Sequence, residues 1–449
     1  MVFGPALALT VTALLVGAPS AADEGNPVVK PNPQQVKWQD MEIGMMICFD
    51  IPVYTDVAEW DWQKTGHLDP ALYNPVDLDT DQWLDAAKAA GARYTVLVAK
   101  HCSGFMCWQS DLYPYGVKQS PWRGGKGDVV RDYVDSCRRA GVQPGLYASV
   151  TANAYWDVSN PGLVNWGAGG DAAKQSEYAR VAEKMLAELW GNYGSFFEVW
   201  FDGGALSPDQ GGPDILPILR RLQPEAIVFG GPASSIRWIG NESGVAAYPC
   251  WATVSAHEAA GAGDPDGLVW QPGECDVPIR NHDWFWHPDS ERKLYSVGEL
   301  VDMYYRSVGR NCNLLLNANI DRRGLVPEAD MQRYREFAAE IERRFGHSLA
   351  ETEGRGSVVE LQLARPTLID HVIAMEDIRE GERVREYAIE CRIRGEWCDL
   401  CTGQSIGHKR IDRFEPVKVT GVRLRCVRPT AEPIIRKLAV YYVGGAPQG

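Results

Sequence analysis

Phe197-Glu198-Val199-Trp200-Phe201-Asp202-Gly203-Gly204 decides how this chain is read. An apolar, aromatic run stops at a carboxylate followed by two glycines. That pattern describes a buried strand delivering Asp202 to the edge of a sheet, where glycine lets the backbone open around a ligand. Charged side chains are rarely buried without a partner or a function. The C-terminal tip of a core strand is where a parallel barrel keeps its chemistry. Taken alone, Asp202 equally suits capping of the following turn, so the surrounding sequence has to choose.

Outward from this stretch, short apolar runs alternate with amphipathic helical patterns from about Glu42 to Asn317. Strands are expected at Met45–Phe49, Tyr94–Ala99, Pro144–Ala148, Phe197–Phe201, Ala226–Phe229 and Cys312–Leu316. Helices are expected at Asp81–Ala90, Asp128–Ala140, Glu177–Trp190, Asp214–Leu222 and Leu300–Val308, with Gly91 and Gly141 as stops. Repeated βα units over roughly 250 residues suit a (β/α)8 TIM-like barrel. A doubly wound open sheet is the alternative, but no glycine-rich nucleotide fingerprint follows the first strand. Between Gly230 and Trp286 the periodicity blurs into what reads as long loops, which in a barrel often build the site.

A helix from Glu328 to Arg344 leads away from this unit. Beyond Gly354-Arg355-Gly356, period-two strands appear at Val358–Leu363, Glu386–Cys391, Val422–Cys426 and Leu438–Tyr442. Such strands with turn residues between them predict a C-terminal β-sandwich. The expected division is therefore a signal segment over 1–22, a catalytic barrel over 28–348 and the sandwich over 349–443.

Composition narrows the function classes. The chain has 449 residues, 45% hydrophobic and 23% charged, enough for two globular domains. A net charge of -14 argues against nucleic acid or an anionic membrane surface as partner. Ala6–Ala18 is an apolar run too short to span a bilayer, followed by Ser20-Ala21-Ala22. It reads as a secretory signal peptide cleaved near Ala21 or Ala22, although the preceding residues contain no Lys or Arg. The expected location is secreted or periplasmic, with no membrane span in the mature chain. Eleven cysteines form no regular framework. Cys398-Asp399-Leu400-Cys401 is a lone CxxC, and zinc would want a second knuckle or paired histidines. Structural cysteines, or a disulfide among Cys391, Cys398, Cys401 and Cys426, are expected instead.

Glycoside hydrolysis needs two carboxyl groups across one bond. Asp202 is the nucleophile candidate. Trp238-Ile239-Gly240-Asn241-Glu242-Ser243-Gly244 and Gln271-Pro272-Gly273-Glu274-Cys275-Asp276 each offer a partner, and local sequence leaves Glu242 and Glu274 both open as the acid/base.

With these residues in view, the chain resembles the α-L-fucosidases of glycoside hydrolase family 29 over nearly its whole mature length. Lys37-Trp38-Gln39-Asp40-Met41-Glu42-Ile43-Gly44 is similar to the family's approach to its first strand. Lys100-His101-Cys102-Ser103-Gly104-Phe105 resembles its Lys-His-His-Asp-Gly-Phe stretch. Ser120-Pro121-Trp122 with Gly125-Lys126-Gly127-Asp128, then Trp200-Phe201-Asp202-Gly203, then Leu314-Leu315-Leu316-Asn317 with Asp321-Arg322-Arg323-Gly324, match further motifs.

The Arg237–Gly244 segment resembles the branch that cleaves α-1,3 and α-1,4 fucosyl linkages on Lewis-type glycans. The resemblance implies Glu242 as acid/base and Asp202 as nucleophile. Trp238 is expected to help raise the Glu242 pKa by desolvating it. Glu274 and Arg280 would lie near the aglycone subsite. His101 would hydrogen-bond a ring hydroxyl, and Glu59, next to Trp60, would bind sugar. Trp284, Phe285 and Trp286 are candidates for the apolar wall facing the fucose methyl group. Trp200 accompanies the nucleophile. The sandwich would be of the discoidin, galactose-binding-like type.

No cofactor and no metal are implied; the expected partner is a fucosylated oligosaccharide or glycoconjugate. Three positions depart from the family pattern: Cys48 stands for a His, and Cys102 and Ser103 replace the second His and the Asp. Cysteine is a poor hydrogen-bond donor, so contacts at Cys48 and Cys102 would be weaker. Two other readings therefore stand beside the retaining exo-α-L-fucosidase. One is a catalytically weak glycan-binding protein; the other is a glycosidase for a related sugar such as α-L-galactose. Asn241-Glu242-Ser243 is also a formal glycosylation sequon, expected to be unmodified because a glycan there would block the site.

Overall fold

The structure, a computed structural model, describes residues 28–444 except 59–60, 165–170 and 257–259. The expected signal segment and Glu59-Trp60 lie outside the described residues.

Eight parallel strands make the first unit: β1 (Ile43–Cys48), β2 (Tyr94–Lys100), β3 (Gln143–Ala148), β4 (Glu198–Trp200), β5 (Ile227–Phe229), β6 (Arg237–Trp238), β7 (Gly273–Val277) and β8 (Asn313–Asn319). They pair in the order β5-β4-β3-β2-β1-β8-β7-β6. A parallel bridge between Phe229 and Ile236 draws the two ends of this sheet together, which makes it a barrel. Every residue of β1 and β2 is buried, as expected of strands covered on both faces. Only glycine fits at position 44, because a Cβ there would sit 2.3 Å from the Tyr94 ring, which crosses the barrel interior at that level.

The outer helices α1 (Pro33–Met41), α2 (Thr80–Ala89), α3 (Val129–Ala140), α4 (Ala172–Asn192), α5 (Ile215–Leu222), α6 (Val297–Arg306) and α7 (Glu328–Phe345) pack around it. Helix α3 shows how local sequence sets them. Asp128 caps its start by accepting from the Arg131 amide at 2.8 Å, and Gly141 ends it at φ 69°. Val130, Tyr133, Val134 and Cys137 bury one face. The hydroxyl of Tyr133 then meets the carbonyls of Thr95 and Gly145, fastening the helix to β2 and β3.

Two barrel strands were hidden in the stretch read as loop. β6 has two residues, too few for any periodicity. β7 reads Gly-Glu-Cys-Asp-Val, whose carboxylates suggest solvent. They are tolerated because Glu274 and Asp276 sit inside the barrel, both buried, with indole and phenol donors to meet them.

The second unit contains β9 (Ala350–Arg355), β10 (Val358–Glu376), β11 (Val384–Ile393), β12 (Glu396–Gly403), β13 (Arg410–Pro429) and β14 (Ile434–Tyr441). These are antiparallel, in the order β9-β14-β10-β13-β11-β12. Register shifts in the long β10 and β13 let the strands bend, and the resulting β-sandwich closes over Ile369, Val372, Ile389, Val422, Leu424 and Val440. It grips the barrel at the end where strands begin. Arg436 donates to Asp40 at 2.8 Å, His408 meets Glu42 at 3.0 Å, and Glu382 accepts from the Ala252 amide at 3.0 Å. This is the face opposite the strand tips.

Of the two expectations, structural cysteines or a disulfide, the structure has the first: among the described residues, which include all eleven cysteines, none is disulfide-bonded. Cys391 and Cys426 pack in the sandwich core as small apolar side chains, with Cys401 against it, while Cys398 is exposed. Among the described residues no helix is long and apolar enough to cross a membrane.

Candidate active site

A cavity of about 1030 Å³ opens at the C-terminal ends of the barrel strands. Among its lining residues are Cys48, His101, Trp200, Asp202, Trp238, Glu242 and Trp284, all anticipated from sequence, and Phe285 beside them. The strand tips bring together residues more than two hundred positions apart.

Asp202 lies two residues past the end of β4. Its backbone carbonyl accepts from Thr151 Oγ1 at 2.8 Å, and its Oδ2 accepts from the Tyr147 hydroxyl at 3.0 Å. Gly203 and Gly204 hold φ of 65° and 82°, the left-handed region, so the chain turns away at once and leaves the carboxylate facing the cavity. Burial raises the Asp202 pKa, the Tyr147 hydrogen bond opposes this, and the charge of Glu242 raises it again. The two carboxyl groups are thus close enough to sense each other.

Glu242 lies on the loop after β6, exposed towards the cavity. Its partner is Trp284, whose indole N–H donates to Oε2 at 2.9 Å. The tip of β8 places that tryptophan: Asn317 donates to the Trp284 carbonyl at 2.6 Å and Asn319 to the Asp283 carbonyl at 2.9 Å. Trp238, expected to cover Glu242, instead donates its indole N–H to Asp276 Oδ1 at 2.7 Å. Burial drives the Asp276 carboxyl well above the usual carboxylate range, the Trp238 hydrogen bond opposes this, and the charge of Glu242 adds to the rise.

His101, at the end of β2, packs between the rings of Tyr147 and Phe285. Burial, with the Lys100 charge beside it, lowers its pKa to about 3, so the imidazole is neutral. Cys102 is buried under the cavity rather than lining it, and its thiol is pushed up to about 12 by burial and by Asp202.

Three expected contacts fall elsewhere. Glu274 is in the barrel interior beneath Trp200, fully buried, accepting from Tyr94 at 2.7 Å and from the Trp200 indole at 3.0 Å. Strand β7 aims it inwards one layer below Asp276, so it does not reach the cavity. Arg280 is buried in a two-pronged ion pair with Asp330, the closest contact 2.8 Å, and also donates to Ser290. It braces α7 against the loop after β7. Trp286 does not line the cavity; the Arg322 guanidinium lies over its ring at 5.5 Å.

Tyr147, Asn160, Gln271 and Asp276 do line the cavity and were missed. Tyr147 carried a usable signal, a phenol near the end of an otherwise small or apolar strand. Asp276 lies two positions after Glu274, hence on the same side of β7.

Residues 34–343 match the family model described as α-L-fucosidase. α-L-Fucosidase 1 of Arabidopsis thaliana is 31% identical over 92% of this chain and 87% of its own. A putative α-L-fucosidase 1 of Oryza sativa is likewise 31% identical, over 96% and 91%. The crystal structure of a putative α-L-fucosidase from Bacteroides thetaiotaomicron superimposes with a TM-score of 0.88 at 38% identity, covering 93% of this chain and all of that one. With the barrel, its carboxyl-lined cavity and these relatives together, the chain belongs to the α-L-fucosidases of glycoside hydrolase family 29.

Proposed function

We propose that the chain is a retaining exo-α-L-fucosidase, exported from the cell, that removes terminal α-1,3- or α-1,4-linked fucose from glycans. The observation that carries the mechanism is the presence of Asp202 and Glu242 on the lining of one cavity at the strand tips. Asp202 Oδ attacks the anomeric carbon while Glu242 gives its proton to the departing glycosidic oxygen, leaving a fucosyl ester on Asp202. Glu242 then takes a proton from water, which attacks the same carbon and releases fucose with its configuration retained. Trp284 holds the Glu242 carboxyl, and Tyr147 holds that of Asp202. His101, neutral and wedged between rings, presents a fixed hydrogen-bonding edge to a sugar hydroxyl.

Linkage preference rests on the Arg237–Gly244 segment and on the extent of the cavity, which continues along Asn160, Gly203–Pro208 and Pro213–Leu216. That extension gives a branched aglycone room. Export rests on the apolar segment Ala6–Ala18.

The test is turnover of an aryl α-L-fucoside and of a Lewis-type trisaccharide by wild type, Asp202→Ala and Glu242→Ala. The expected result is hydrolysis of both by wild type with release of the α-anomer, seen by NMR. Asp202→Ala should be inactive, and azide should rescue Glu242→Ala on the activated aryl substrate. Release of the β-anomer, or full activity in Asp202→Ala, would refute the mechanism. Export is checked by sequencing the N-terminus of secreted protein, expected near Ala22 or Asp23.

A further inference from the structure

We propose that His101, Cys102 and Asp202 form a binding site for a thiophilic divalent cation, zinc above all, and that its occupancy excludes the fucoside. Each of the three offers one donor atom, and these atoms all lie within 4.8 Å of one another. A tetrahedral zinc with bonds of about 2.0–2.3 Å needs its donors roughly 3.3–3.8 Å apart. Side-chain adjustments of about 1 Å therefore close the site. Sequence spacing conceals it: His101 and Cys102 are adjacent after β2, whereas Asp202 arrives from the end of β4.

A second observation points the same way. Nδ1 of His101 is buried without a hydrogen-bond partner, which is costly for a ring nitrogen and leaves this imidazole with an unmet polar atom. The donor set also selects the ion. A thiolate and an imidazole favour zinc over magnesium or calcium, which want oxygen ligands. Three protein donors leave the fourth position to water. On binding, the Cys102 proton passes to solvent as the metal–thiolate bond forms. The thiol that makes this possible stands where the family pattern has a second histidine and, one place on, an aspartate. The exclusion of substrate rests on the reading of Asp202 as nucleophile: a carboxylate bound to zinc cannot attack the anomeric carbon.

The experiment uses the full chain carrying Cys398→Ser and Cys401→Ser, which removes the exposed and half-buried thiols of the sandwich. Cobalt(II) is titrated in as a spectroscopic stand-in for zinc. The expected result is a saturable near-ultraviolet thiolate-to-cobalt charge-transfer band that zinc bleaches. The band should vanish in Cys102→Ser, and cobalt affinity should drop in His101→Gln. That drop should exceed the roughly 10–100-fold cost of losing an outer-shell partner. Circular dichroism shows whether each variant is folded. No band in the folded parent, or an undiminished band in both folded variants, overturns the site.

Zinc should also raise KM for an aryl fucoside while leaving kcat at saturating substrate unchanged, with EDTA restoring the original KM. A fall in kcat at constant KM overturns the exclusion. A chain that shows the Cys102-dependent band but hydrolyses no fucoside keeps the metal site and refutes the catalytic reading instead.

Discussion

The hydroxyl of Tyr147 donates to Oδ2 of Asp202 across 3.0 Å, joining the tip of β3 to the tip of β4 inside the cavity. This bond favours the ionised carboxylate against the desolvation that disfavours it.

Replacing Tyr147 by Phe should therefore lower kcat/KM by roughly 10- to 100-fold, the worth of a hydrogen bond to a charged group. The sign on pH follows. Without the donor the Asp202 pKa rises further, so the acidic limb of the kcat/KM profile moves to higher pH. A profile recorded from acid to neutral pH checks both effects; an unmoved limb would separate Tyr147 from Asp202 ionisation.

Trp284→Phe keeps the apolar wall but removes the donor to Glu242. A misplaced acid matters most when the leaving group needs protonation. The variant should lose more kcat on a trisaccharide than on an activated aryl fucoside. Parallel kinetics on the two substrates decide this, and equal losses would count against Glu242 as the acid.

Glu274 and Glu198 are buried neighbours, and burial raises both carboxyls. A pKa above its unfolded value stabilises the fold most at pH below the ordinary carboxyl range. That contribution is lost as pH climbs through the raised folded value. Glu274→Gln, still able to meet Tyr94 and Trp200, should flatten the fall of Tm between weakly acidic and neutral pH. It should retain most turnover, whereas Glu242→Gln should not. A Glu274→Gln variant that folds but has no activity would reopen the assignment of the acid.

Breaking the Arg280–Asp330 pair leaves one charge buried without its partner. Asp330→Ala should cost about 3–5 kcal/mol of stability. Its effect on KM should be small, because neither residue lines the cavity. The double variant Arg280→Met with Asp330→Leu should be less destabilised than Asp330→Ala, measured by denaturant unfolding.

Much of the architecture was legible because its causes are local. Asp128 and Gly141 mark the two ends of α3, and β1 and β2 are dominated by continuous apolar runs. β6 and β7 escaped because their reasons are not local. Two residues have no period, and the carboxylates of β7 make sense only when Tyr94, Trp200 and Trp238 arrive from other strands. The same holds for Arg280, which reads as a residue near the aglycone subsite until Asp330 of α7 is packed beside it.

The sequence by itself determined the barrel-then-sandwich order, the family, and the strand tip that carries Asp202, since apolar periodicity, caps and short motifs are written in neighbouring residues. Only the tertiary structure decided which carboxylate faces the cavity. It put Glu242 beside Trp284 at the mouth and Glu274 one layer below, and it set His101, Cys102 and Asp202 within reach of one ion. Depth within a barrel depends on strand register and tilt, and those are settled by pairing between distant segments rather than by any one of them.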